Sequence, residues 1–141
     1  MAEAVFKHLV ADTGLTNQFF VDSVGTAGYH TGDLAHPRTR QVLAQHGITC
    51  ESVSRQITRA DMDNADYIIA MDRQNLSDLR YMASNAGVNG QHMRLLLEFA
   101  PNSSVRDVPD PYYSGNFEEV YRLVEAGCRG LLAHIQRQQE F

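Results

Sequence analysis

Asp110 stands between Pro109 and Pro111 and is followed at once by Tyr112 and Tyr113. A proline on each side restricts the backbone, so the carboxylate is held in one direction on a segment with little conformational freedom to lose. A general acid needs such placement, because it must sit within hydrogen-bond reach of the atom it protonates. The same "PDP" also reads as an ordinary surface turn, since Pro and Asp are both turn residues. At the level of this segment both readings stand.

Nucleophiles and metal ligands are scarcer. Cys50 precedes Arg55 in "CESVSR", with an acid between them and no glycine to shape a tight anion loop, and Cys128 lies inside a helical pattern before Arg129 and Gly130. Either thiol reads better as a small hydrophobe or a solvent-facing side chain than as a catalyst. No pair among the six histidines has metal-ligand spacing, and His46 before Gly47 reads as a helix end. No metal or cofactor is expected.

At 141 residues with 43% apolar content, the chain can bury one core and form one domain, residues 1–141. The net charge of −5, without a block of Lys or Arg, excludes the electrostatic footprint of nucleic acid or an anionic membrane surface. No apolar run approaches the roughly 20 residues of a bilayer span, and "MAEAVFKHLV" lacks the order of a signal peptide. A cytoplasmic protein with reduced cysteines is expected.

"FFVDSVGT" (19–26) reads as a strand ending at a glycine, and "DYIIAMD" (66–72) as a strand covered on both faces. "HMRLLLEFA" is a third strand candidate whose leucines equally suit a helix. Helices are predicted over "MAEAVFKHLV", over "PRTRQVLAQHG" with Pro37 near its start, over "RQNLSDLRYMA", and over "NFEEVYRLVEAGCRGLLAHIQRQ", whose acids lie early and bases late. Alternating helices and strands predict an α/β fold, a doubly wound parallel sheet flanked by helices. Ligands then bind at the carboxyl ends of the strands, where "SVGTAGYHTGD", "MDRQN" and "DVPDPYYSG" all fall.

"VPDPYY" followed by "FEEVYRLVEAGCRGLL" resembles the C-terminal signature of the low-molecular-weight protein tyrosine phosphatases. "VDSVGTAGYHTGD", "HGI", "SRQIT" and "DYIIAMDRQNLSDL" are similar to the rest of that family, in order, over Met1 to about Ile135. The resemblance implies a sheet of four parallel strands and hydrolysis of phosphotyrosine through a cysteinyl-phosphate intermediate without a metal. It implies that Asp110 is the general acid, its normal pKa of about 4 raised by the phosphate dianion beside it. Tyr29 and Tyr112 match the aromatic walls around the substrate ring, a pair that fits tyrosine phosphatases better than the related arginine phosphatases. Tyr113 either touches substrate or packs the last helix. Ser23 matches a member of the network supporting the phosphate loop, and Asp72 caps the following helix or orders that loop. Val24, at a usually small position, and Ser52, where some members carry His, depart from the pattern.

The family's nucleophile lies in a Cys-x5-Arg loop that leaves the first strand and enters a helix through Ser-Pro-Met-Ala-Glu. "MAEAVFKHLV" resembles that helix from its Met onward, and no Cys-x5-Arg occurs among the 141 residues, Cys50 and Arg55 being one residue too close. The expectation is a chain without the family's first strand and phosphate loop, inactive as written. In the family that strand lies between the strands expected at 19–26 and 66–72, so its loss opens a gap of about 9–10 Å. Unpaired buried groups there cost about 1–3 kcal/mol each. Residues outside this sequence, a closed-up sheet, or exchange with another chain as a homo-oligomer would each answer the vacancy. The expected partner is a phosphotyrosine protein or a small aryl phosphate. Two alternatives remain: a pseudophosphatase module that binds phosphate-like anions, and a strand-exchanged interaction protein.

Overall fold

The computed structural model describes residues 1–26, 34–101, 103–110 and 115–140. Helix α1 (Ala2–Asp12) forms where Val5, Phe6, Leu9 and Val10 share one buried face, and it ends before Gly14, whose φ of 74° is the left-handed conformation that glycine adopts freely. A 3-10 turn follows at Thr16–Gln18. Helix α2 (Pro37–Gln45) opens with proline at its first position, where a missing N–H costs nothing, and buries Val42 and Leu43. The short α3 (Arg59–Asn64), not anticipated from periodicity, is nucleated by a capping box: the Thr58 hydroxyl takes the Asp61 N–H and the Asp61 carboxylate takes the Thr58 N–H.

Strand β1 (Ile68–Ala70) leads into α4 (Arg73–Ala86), and β2 (Met93–Leu95) leads into a 3-10 turn at Leu96–Phe99. The run "HMRLLLEFA" is thus part strand and part turn. Helix α5 (Phe117–Gln139) is capped by Asn116, with Glu118 and Glu119 in its first turn and Arg137 in its last, the arrangement its dipole favours.

β1 and β2 pair in parallel, with Ile68 opposite Met93 and Ala70 opposite Leu95. Strand alternation sends Ile68, Ala70, Met93 and Leu95 into a core with Leu76, Leu79 and Ala83 of α4 and Met62 of α3. Tyr67, Ile69 and Met71 pack against the second core, made by α1, α2 and α5. Helices therefore cover both faces of the sheet, the α/β arrangement expected. Among the described residues, no helix is long and apolar enough to cross a membrane.

The strand expected at 19–26 is a correction. Among the described residues it makes one parallel bridge, Gly25 with Gln56, in which Gly25 N–H donates to the Arg55 carbonyl at 2.8 Å and Ile57 N–H to the Gly25 carbonyl at 2.9 Å. Phe20 is 93% exposed and Val24 is also exposed. β-rich composition makes a strand only when a neighbour supplies a ladder, and no described backbone group of β1 bonds to this segment. The sheet of the described residues accordingly has two strands, where the family's four less the first would leave three. Ile68 N–H donates to the His92 carbonyl at 3.1 Å, toward β2, so the backbone of Ile69 faces the opposite edge. No described strand pairs along that edge.

Candidate active site

The segment carrying Asp110 is fastened to the carboxyl end of β1. Val108 N–H donates to the Met71 carbonyl at 2.9 Å. One residue earlier, the Asp107 carboxylate accepts the Arg73 backbone N–H at 2.8 Å, and Arg73 Nη2 donates to the same carboxylate at 3.0 Å. Arg73 in turn holds the Asp107 carboxyl below its ordinary value of 3.8. Asp110 itself is exposed. Beyond the acid, Arg38 Nη2 donates to the Gly115 carbonyl at 2.9 Å, and its guanidinium lies 4.4 Å from the Phe117 ring centre. Tyr29, Tyr112 and Tyr113 lie outside the described residues.

Asp72 sits between the two anchors. Its carboxylate accepts the Asn75 N–H at 2.7 Å as the N-cap of α4, which satisfies one of the amides a helix leaves unmatched at its start. Ser23 is joined to the beginning of α1: its hydroxyl donates to Glu3 Oε1 at 2.9 Å. Glu3 is only 8% exposed, and its other oxygen accepts from Lys7 at 3.3 Å. A buried carboxylate needs such partners, because removing it from water without them is costly. Glu3 therefore ties the helix start to the extended segment before Thr26. Its sequence signal was an acid in the first turn of a helix, which by itself reads as dipole complementarity.

Neither cysteine is set up for nucleophilic work. The Arg55 guanidinium bridges Asp22, at 2.8 Å, and Asp61, at 2.8 and 2.9 Å. The Asp61 carboxyl is held well below the usual carboxylate range by that contact, so Arg55 is occupied by two acids and offers no free clamp for phosphate. Cys50 lies half-buried, its sulfur 3.8 Å from the Ser52 hydroxyl. Cys128 is 1% exposed within α5, beside the Ala2 carbonyl, and burial pushes its thiol up to about 12. A nucleophilic thiolate is thus essentially unpopulated there at neutral pH. Among the described residues, no cluster of His, Cys, Asp or Glu is arranged to hold a metal ion.

The assembled geometry brings two elements together at the carboxyl end of a parallel strand: the segment carrying Asp110, and the start of α4 with its Asp72 cap. That is where ligands bind in open α/β sheets. Comparison with known proteins identifies the family and the fold. The family described as low molecular weight phosphotyrosine protein phosphatase matches residues 1–140. The low-molecular-weight protein-tyrosine-phosphatase YfkJ of Bacillus subtilis is 44% identical over 141 residues, covering 99% of this chain and 89% of its own. The human low molecular weight phosphotyrosine protein phosphatase is 36% identical over 134 residues, covering 94% of this chain and 84% of its own. The crystal structure of YfkJ superposes with a TM-score of 0.92 over 97% of this chain and 86% of that one. A Drosophila arginine phosphatase, 32% identical, superposes with a TM-score of 0.88 over 96% of this chain and 88% of its own. On its sequence and its fold alike, this chain belongs to the low-molecular-weight phosphotyrosine protein phosphatase family.

Proposed function

We propose that the protein hydrolyses phosphotyrosine-type aryl phosphomonoesters, with Asp110 as general acid. The nucleophile in this reading is a thiolate on a Cys-x5-Arg loop that is not among these 141 residues, carried by a strand that pairs with the Ile69 edge of β1. The observation that carries the reading is the Ile69 edge of β1, along which no described strand pairs, with the acid segment tied to its carboxyl end at Met71.

The chemistry runs in two displacements. The thiolate attacks phosphorus, forming an S–P bond as the P–O bond to the aryl group breaks, and the departing oxygen takes the Asp110 proton. Water then attacks phosphorus, the Asp110 carboxylate takes its proton, and the S–P bond breaks to return the thiolate. Backbone N–H groups at the start of α1 and an Arg clamp would hold the phosphate. Tyr29 and Tyr112 would flank the substrate ring and favour phosphotyrosine over phosphoarginine, with Tyr113 beside them. Ser23, through Glu3, and Asp72 would support the phosphate loop. The 141 residues alone, lacking the thiolate loop, would be inert.

The test compares the 141-residue chain with the same chain joined at Met1 to a strand and Cys-x5-Arg loop, on phosphotyrosine and phosphoarginine with vanadate as inhibitor. Activity on phosphotyrosine in the longer protein alone supports the reading. Turnover by the shorter one that Cys50→Ser abolishes defeats it, and preference for phosphoarginine moves the substrate. The same edge, unpaired among the described residues, favours a second reading, a homo-oligomer formed by strand exchange. Sedimentation of the 141-residue chain as a monomer would sink it. A pseudophosphatase that only binds phosphate-like anions would show vanadate affinity in the longer protein without turnover.

A further inference from the structure

We propose that Asp107 is a positioning residue for the general acid, fixing the Asp110 segment to the start of α4 through Arg73; this rests on the phosphatase reading above. Two consecutive residues of the segment are each bonded to a residue flanking Asp72. Val108 N–H meets the Met71 carbonyl at 2.9 Å, and the Asp107 carboxylate meets the Arg73 N–H at 2.8 Å. The same carboxylate also takes Arg73 Nε, at 3.2 Å to each oxygen, and Nη2 at 3.0 Å. Pro109 then carries that direction to Asp110, its ring holding φ near about −65°.

The donor at Arg73 is one of the amides an α-helix leaves unmatched at its start, and the helix dipole favours negative charge there. Its backbone position is set by α4, so forming this bond orders no further donor side chain. The guanidinium contact is exposed, and exposed ion pairs contribute little to global stability. The consequence of the tether is therefore local. It decides where the acid segment lies rather than whether the domain folds, which is the property expected of a group that acts through another.

Two measurements test it. In the 141-residue chain, Asp107→Ala should speed amide hydrogen exchange at Val108 by about tenfold while leaving the thermal midpoint unchanged. In the protein carrying the Cys-x5-Arg loop, Asp107→Ala should slow phenyl phosphate, a poor leaving group that needs the acid, by about tenfold. It should leave dinitrophenyl phosphate, whose leaving group needs no proton, nearly unaffected. Asp107→Asn, which keeps an acceptor for the Arg73 N–H, should recover part of the loss. Unchanged exchange at Val108, or equal slowing of both esters while Asp110→Ala stays selective, overturns this proposal alone. An Asp110→Ala variant with an unchanged phenyl phosphate rate overturns the general-acid reading and this proposal with it.

Discussion

The Ser23 hydroxyl donates to Glu3 Oε1 at 2.9 Å, joining two residues twenty positions apart and connecting the first turn of α1 to the extended segment that ends at Gly25. Without it, one oxygen of a carboxylate that is nearly buried loses its partner, at a cost of about 1–2 kcal/mol. Ser23→Ala should lower the urea midpoint accordingly with an unchanged denaturant slope. An unchanged midpoint would mean that water replaces the hydroxyl without loss.

Arg55 contributes to the acid limb of stability. Its guanidinium depresses both Asp61 and Asp22, hydrogen bonding being the largest cause in each, below the ordinary value of 3.8. A depressed carboxyl contributes stability that is present above its unfolded value and lost as pH falls through the folded one. The wild-type thermal midpoint should therefore fall as pH drops below 3.8. In Arg55→Ala that segment of the curve should flatten. Parallel curves for the two proteins would show that the bridge does not persist in solution.

Burial separates the two thiols. Cys128, with its thiol pushed up to about 12, should resist iodoacetamide in the native protein, while half-buried Cys50 reacts first. The raised value has a linkage consequence of the opposite sign to that of Asp61. The native state keeps the proton while the unfolded thiol loses it near 9.0, so stability from Cys128 is present below that pH and lost above it. Cys128→Ala should weaken the alkaline decline in stability, read from midpoints above pH 9. Native-state alkylation of Cys128 at the rate of Cys50 would contradict its burial.

Gly130 lets α5 lie directly on the Leu96–Phe99 turn, because a Cβ there would overlap the Phe99 carbonyl. Gly130→Ala should destabilise the fold by about 1–3 kcal/mol, despite alanine's better helix propensity, because the clash is with backbone. A midpoint raised by the substitution would show that the turn yields. The same variant should leave amide exchange at Val108 unchanged, since the acid segment is anchored to β1 and α4 instead.

What depends on neighbours a few residues apart could be read from the sequence. α1, α4 and α5 were legible from apolar spacing, and Asp72 from the position of an N-cap. The family was legible too, because its motifs recur in order along the chain. Tertiary structure alone decided what depends on residues distant in sequence: Asp107 on Arg73 and Arg55 on Asp22 each span more than thirty positions. It also decided the fate of 19–26, where β-rich composition was evident but the described residues supply only one bridge. Helical order is stored in local hydrogen bonds and can be read from a window of sequence. A strand or an ion pair is completed only by the partner that folding brings to it.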